Sequence, residues 1–262
     1  MAQLEKFLEN VPAFDERGNY QCTVLVWQDA AKERFFAVVQ DPRCNLVGKT
    51  PADFDGERVI LADLFPVFVP GLDAIKRVDE ALIIAEDYYV KRHIMAPCLV
   101  EHSPVANQMF KDTVAIEVEV CHKLMHLEIP NIAKFRGCVV HEGLIVALCF
   151  DKYAETLTQR VMRSASSLNK AKVMDRLRTA VSKLHDLGYC HNDINPANIM
   201  FASLSDDNPV LIDFDSAQRM GHDLLKVGTP GWCVEELCTS SQENDEIALR
   251  NLDKYLTSCG CR

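Results

Sequence analysis

At 262 residues, with 48% hydrophobic and 25% charged side chains, the chain is long enough for one large domain or two small ones and has an ordinary globular composition. That balance excludes collagen-like, low-complexity and long disordered architectures. A net charge of -10, from 28 basic and 38 acidic residues, disfavours non-specific attraction to nucleic acid or anionic membrane, so neither is an expected partner.

Residues 1–12, MAQLEKFLENVP, are amphipathic and carry acids early, without the apolar run and small-residue cleavage site of a secretory signal. The most apolar stretch, from Val59, is interrupted by Asp63, Pro66 and Pro70 and is too short to span a bilayer. The eleven cysteines are an odd number and fall mostly inside apolar runs such as CTVLVW, PCLV and ALCF. Thiols in a reducing compartment account for them, so the expected location is intracellular, cytoplasmic or nuclear.

YQCTVLVWQ and RFFAVVQD predict a hairpin, since both are rich in β-branched and aromatic residues and are joined by the short Asp29 to Glu33 connection. Turn-forming clusters follow, then one short strand and prolines, with a boundary near Gly71. After Asp79 the runs ALIIAED and YYVKRHIM read as strands, and Val114, Val118, Cys121 and Leu124/Met125 line one face of a helix. KFRGCVV and GLIVALCF predict a strand pair turning at His141 to Gly143. A long helix spans about Asn169 to Leu187, with Val173, Leu177, Ala180, Val181 and Leu184 on one stripe, Asn169 as cap and Gly188 as stop. Strands dominate first and helices later, which suggests a sheet-rich lobe followed by a helical one.

The chemistry is concentrated after Gly188, in YCHNDINPANIMFASLSDDNPVLIDFDSA. Asp193 and Asn198 lie five apart, and Pro196 prevents the stretch from continuing as a helix, so a tight loop presents them. IMF and PVLID predict a hairpin that returns Asp213 close to Asn198, giving two hard oxygen donors suited to one magnesium ion. Asp193 then remains to orient a hydroxyl and receive its proton during phosphoryl transfer. The plainer alternative is that these Asn and Asp residues are turn formers flanking a hairpin. His122 and His126 have the i, i+4 spacing of zinc ligands, but without HExxH or a second ligand pair they read as residues of a surface helix.

This segment resembles the catalytic core of protein kinases. His191 and Asp193 match the His and catalytic Asp of His-Arg-Asp, Asn198 the metal-binding Asn five later, and Asp213 with Phe214 the start of Asp-Phe-Gly. Gly228-Thr229-Pro230-Gly231-Trp232 resembles the Gly-Thr-Pro-x-Tyr segment that positions a peptide substrate, Glu236 the Glu of Ala-Pro-Glu, and Asp245 the buried Asp of the next helix. Lys91 in YYVKRH resembles the lysine of Val-Ala-Ile-Lys, with Glu117 as its helix partner. HNDxNPxNIM, IDFDS and GTPGWC are also similar to small, divergent kinase-like proteins of filamentous fungi.

The resemblance implies an α+β, bilobal protein-kinase-like fold over residues 72–262, with an N-lobe of about 72–150 and a C-lobe of about 151–262. Residues 1–71 are then a β-containing N-terminal extension. Only 26 residues follow Glu236, which implies a shortened C-lobe. The implied function is transfer of the γ-phosphoryl group of ATP, with Mg2+, to a protein Ser or Thr hydroxyl. In it Asp193 acts on the acceptor, Asn198 and Asp213 hold the metal, Lys91 steadied by Glu117 contacts the nucleotide phosphates, and Thr229 places the substrate. A hinge at Phe150, Asp151 and Tyr153 accepts the adenine, with Phe150 as gatekeeper.

Four departures stand against that pattern. No GxGxxG precedes Lys91, Asn195 replaces the lysine two after the catalytic Asp, Asn192 replaces the Arg, and Asp215 replaces the Gly of Asp-Phe-Gly. They leave two alternatives open: a pseudokinase scaffold that binds a protein partner, or a small-molecule kinase of the choline and aminoglycoside type, which manages without the lysine.

Overall fold

The computed structural model describes residues 6–14, 18–29, 31, 33–42, 44–68, 88–101, 103–233 and 238–261. Two compact units divide the chain: Met1–Val67 with Arg92–Lys111, and Phe68–Lys91 with Asp112–Arg262. Gly71, ALIIAED and the rest of 73–87 lie outside the described residues, as does Glu236.

In the first unit, β1 (Lys6–Phe14), β2 (Tyr20–Gln28), β3 (Arg34–Val39) and β4 (Glu57–Arg58) form an antiparallel sheet in sequential order. The β2–β3 pairing realises the predicted hairpin, with Val26 opposite Phe36 and Trp27 opposite Phe35. Six successive residues of β2, Cys22–Trp27, are buried, because that strand is covered on both faces. Phe7, Phe35 and Phe54 pack around Leu25, Trp27 and Ala37 on one side. Gly56 is required there: a Cβ would fall 2.1 Å from the Trp27 ring. The stretch from Glu57 opens with the short strand β4 and then forms a one-turn helix α1 (Leu61–Leu64), its Leu61 and Leu64 buried. Helix α2 (Ala96–Glu101) packs on β1 and β2, and the Glu9 carboxylate accepts the Met95 and Ala96 N–H groups at 3.0 Å.

The second unit carries the three-stranded sheet β5 (Tyr88–Lys91), β7 (Leu144–Asp151), β6 (Phe135–His141), in that spatial order. The predicted turn is tight because Glu142 and Gly143 both take positive φ, 48° and 79°, the geometry that matches strand twist in a two-residue hairpin. Central β7 is buried from Leu144 to Phe150. Helix α3 (Pro104–Met125) buries Val114, Val118, Cys121 and Leu124 on the predicted face, and Glu117 among them.

The helical part follows. Short strands β8 (Glu155–Thr156), β10 (Ile199–Phe201) and β11 (Pro209–Leu211) form one sheet, and β9 (Tyr189–Cys190) pairs with β12 (Gln218–Arg219). Thr156 caps α4 (Leu157–Ser164) in a reciprocal box with Gln159. Asn169 caps α5 (Lys170–Asp186), accepting the Lys172 N–H at 2.9 Å, and Gly188 ends it at φ 82°. Val173, Leu177 and Val181 of α5 join Ile199, Phe201 and Leu211 in a core completed by Leu249, Leu252 and Leu256 of α6 (Gln242–Ser258). No helix among the described residues is long and apolar enough to cross a membrane.

Candidate active site

The loop after β9 is built from the backbone outward. The Asp245 carboxylate, fully buried on α6, accepts the His191 N–H at 2.9 Å and the Asn192 N–H at 2.8 Å and lies 2.8 Å from His185 Nε2. Two buried N–H groups that a tight turn cannot satisfy are thereby paired. Asn192 takes φ 62°, and its amide shares two N–H groups among Cys190 O, Ser216 O and Ser240 Oγ while its oxygen accepts from Asn244. A neutral, buried hydrogen-bond network thus stands where kinases carry the Arg.

Asp193 is aimed by three donors. Its Oδ1 accepts the Thr229 N–H at 2.7 Å and Asn195 Nδ2 at 3.0 Å, and its Oδ2 accepts Asn198 Nδ2 at 2.9 Å. Asn195 also donates to Thr229 Oγ1 at 3.2 Å. The approach of this threonine depends on Gly228, where a Cβ would lie 2.3 Å from Asn192 O. The hairpin does return Asp213: Ile212 N–H donates to Asn198 O at 3.0 Å.

Lys91, at the end of β5, reaches Glu117 Oε1 at 2.7 Å, Asp213 Oδ1 at 2.5 Å and Asp215 Oδ2 at 3.8 Å. Glu117 also accepts the Phe214 N–H at 3.2 Å. Burial alone would lower the lysine pKa, but Glu117, Asp213 and Asp215 together hold it above its ordinary value, so Lys91 is charged. Asp213 moves up from the usual carboxylate range. Burial is the main cause, opposed by Lys91 and reinforced by Asp215 and Glu117. Three carboxylates against two ammonium groups, that of Lys91 and that of Lys226 on Asp215, still leave a surplus of negative charge. Asn198, its amide nitrogen committed to Asp193, keeps its side-chain oxygen as a hard donor, and its backbone oxygen accepts the N–H of Ile212, the residue before Asp213. That hard-oxygen donor set with excess negative charge fits a magnesium ion.

Lys91 and Asp213 line a cavity of about 410 Å³ together with Tyr89, Phe150, Asp151, Tyr153, Met200 and Ile212. The volume falls in the range of small-ligand sites, roughly 300–1,000 Å³. The three expected hinge residues therefore share a cavity with the expected phosphate-binding residues. Asp151 also holds Arg136 through paired contacts of 2.5 and 2.7 Å, and Tyr153 Oη accepts the Lys134 N–H at 3.0 Å. Met200 and Ile212 were not expected here, although alternation in IMF already sets Met200 opposite the buried Ile199 and Phe201. Also unforeseen was the partner of Asp215: Lys226 Nζ lies 2.8 and 2.7 Å from its two oxygens. His122 and His126 approach each other at 3.2 Å on α3. Among the described residues, no cluster with metal-ligand geometry includes either of them.

A comparison of the chain with family profiles matches the protein kinase domain over residues 91–258. Calcium/calmodulin-dependent protein kinase type IV of Homo sapiens is 27% identical over 158 residues, covering 57% of this chain and 33% of that protein. Calcium/calmodulin-dependent protein kinase type 1B of Rattus norvegicus is 28% identical over 154 residues, covering 55% and 43%. The chain thus spans less than half the length of these curated relatives. A chain of the yeast RNA Pol II CTD kinase CTDK-1 complex superposes at a TM-score of 0.45 and 16% identity, over 55% of this chain and 50% of that one. The profile match covers more than half the sequence, including Lys91, Glu117, Asp193, Asn198 and Asp213, and the chain belongs to the protein kinase domain family.

Proposed function

We propose that this chain is an ATP-dependent protein kinase acting on Ser or Thr hydroxyls, its kinase domain spanning residues 72–262 behind an N-terminal extension of 1–71. The observation that carries the reading is the cavity itself, in which Lys91 and Asp213 share walls with Phe150, Asp151 and Tyr153. ATP enters with its adenine toward the Phe150–Tyr153 segment and its phosphates toward Lys91, which Glu117 holds in position. Asn198 and Asp213 would hold magnesium, which supplies charge neutralisation to the phosphate oxygens.

Asp193 accepts the proton of the acceptor hydroxyl as that oxygen bonds to the γ-phosphorus and the bond from phosphorus to the bridging oxygen breaks. ADP leaves with the electron pair. A protein acceptor is favoured by the Thr229 N–H on Asp193, which joins the GTPGW segment to the carboxylate that must meet the acceptor. An intracellular, reducing location is favoured by the eleven unbridged cysteines.

The test combines binding and turnover. Saturating ATP with Mg2+, at about 100 times the dissociation constant, should add roughly 2.7 kcal/mol of stability in a melting experiment. Phosphate transfer to a general protein substrate should fall on the order of 10²–10⁴-fold in Asp193→Asn, with ATP binding kept. A chain whose melting ignores ATP and Mg2+ is a scaffold, and one that phosphorylates small alcohols but no protein is a small-molecule kinase. Either result overturns the proposal.

A further inference from the structure

Charge around Lys91 is out of balance in a way that points to a residue from outside the catalytic loop. Glu117, Asp213 and Asp215 surround one ammonium, that of Lys91. Asn195 brings no charge. Its amide nitrogen is taken up by Asp193 and Thr229, and its oxygen accepts the Ala197 N–H at 2.9 Å and the Asn198 N–H at 3.3 Å. The second cation is Lys226. Asp215 Oδ2 lies 2.7 Å from Lys226 Nζ and 3.8 Å from Lys91 Nζ, so one carboxylate oxygen spans the two ammonium groups.

We propose that Lys226 is a phosphate-contacting catalytic residue, held by Asp215 until nucleotide binds and then turned onto the γ-phosphoryl oxygens. This rests on the kinase reading above. Two anchors fix the geometry: Lys226 is tied to Asp215 beside Lys91, and Thr229, three residues on, is tied to Asp193 at 2.7 Å. The backbone from 226 to 229 spans at most about 10 Å, so on the kinase reading this segment links the carboxylate beside Lys91 to the carboxylate that meets the acceptor hydroxyl. The phosphorus must cross that span. Lys226 is 46% exposed against 14% for Asp215, so its head can change partner without being dragged out of a buried site. Partly exposed ion pairs are weak and exchange readily, whereas a phosphate offers several oxygens at once.

During transfer the acceptor oxygen–phosphorus bond forms, the phosphorus–bridging oxygen bond breaks, and the hydroxyl proton passes to Asp193. Lys226 makes no covalent bond and stabilises charge on the transferring group. Asn195 and Asp215 then belong to a single arrangement, in which the cation missing from the catalytic loop arrives from residue 226 and Asp215 docks it.

The test uses the full chain, with turnover, ATP affinity and ADP affinity measured in Mg2+ for Lys226→Met, Lys226→Arg, Asp215→Gly and the Lys226→Met/Asp215→Gly pair. Lys226→Met should lower kcat about 100-fold, the scale of removing one charge-stabilising donor. ADP affinity should change far less than kcat, and Lys226→Arg should restore most of the rate. The loss should persist when Asp215 is also glycine. If it vanishes in that background, Lys226 merely neutralises Asp215 and the proposal falls. Active wild-type enzyme indifferent to Lys226→Met overturns this proposal alone, whereas wild-type protein that neither binds ATP nor transfers phosphate overturns the kinase reading as well.

Discussion

Asp213 occupies φ 66°, where a residue bearing a Cβ is disfavoured by about 1–2 kcal/mol, and its neighbours hold it there. Phe214 is fully buried with its N–H on Glu117 and its ring 5.1 Å from that of His191, while Ile212 O meets His191 Nε2 at 3.0 Å. The carboxyl so placed titrates above its ordinary range, first through burial and then, against Lys91, through Asp215 and Glu117. A carboxyl whose folded-state pKa is raised contributes stability at low pH and loses it as pH rises through that folded value. Ionised Asp213 is therefore a net cost to the fold at neutral pH. Asp213→Asn should raise the melting temperature of the ligand-free protein at pH 7, narrow the difference at pH 4, and abolish any Mg2+-dependent shift. Equal or lower stability at pH 7 would show that the Lys91 contact outweighs the repulsion. Such a gain on losing a functional residue is the expected signature of a site shaped for charge binding.

At the scale of elements, the question is what fixes the rotation of α3. Successive residues turn by about 100°, so Glu117 and Glu119 project to opposite sides of the helix. Glu117 is gripped by Lys91 and the Phe214 N–H. Glu119 is gripped by Tyr189 Oη at 2.7 Å, Lys123 Nζ at 3.0 Å and Arg219 Nη2 at 2.5 Å, which tie α3 to both strands of the β9–β12 pair. Burial would raise the Glu119 pKa, but the Tyr189, Lys123 and Arg219 hydrogen bonds overcome it and bring it to about 2. Its contribution is thus present above the ordinary glutamate range and is lost only as pH falls toward about 2. The tether does not titrate near neutrality. Glu119→Gln should cost less than about 1 kcal/mol of stability, since the group is partly exposed and screened. It should still reduce turnover several-fold by loosening the register of Glu117 on Lys91. Unchanged turnover at pH 7 would remove Glu119 from the positioning of that pair.

This grip could not be seen in the sequence, because Glu119 differs from any solvated helix acid only in what β9 and β12 bring near it. Asp193, Asn198 and Asp213 were legible for the opposite reason: Pro196, the IMF and PVLID runs and the Asn-rich turn specify local geometry within some twenty residues. The Asp215–Lys226 pair depends on the path of a loop with no periodicity, so neither spacing nor propensity announces it. Strand β1 was likewise hidden. KFLENVPAF contains Pro12 and shifts register between Phe7 and Glu9, so the alternation that marks a strand is broken.

For the whole molecule, the buried cysteines connect composition to environment. All eleven are unbridged, and six of them, Cys22, Cys98, Cys121, Cys138, Cys149 and Cys190, are buried. Burial, then the nearby Glu117 charge, pushes the Cys138 thiol up to about 12; burial, then Asp245, does the same for Cys190. Thiolate is the reactive form, so these groups are inert while the fold persists. Cys238 is exposed, and Cys44, Cys233, Cys259 and Cys261 are partly so. A thiol-specific reagent at pH 8 should therefore modify Cys238 first and leave Cys138 and Cys190 unmodified until denaturant is added. All eleven should then react, whether or not the protein was stored with reductant. Bound ATP and Mg2+ should further slow modification of Cys138, since opening around β6 and α3 would have to disrupt the ion pairs that hold Lys91 for the nucleotide. Modification of Cys138 in the native protein at the rate of Cys238 would mean that the β5–β7–β6 sheet opens freely and that its lysine is not held ready for a phosphate.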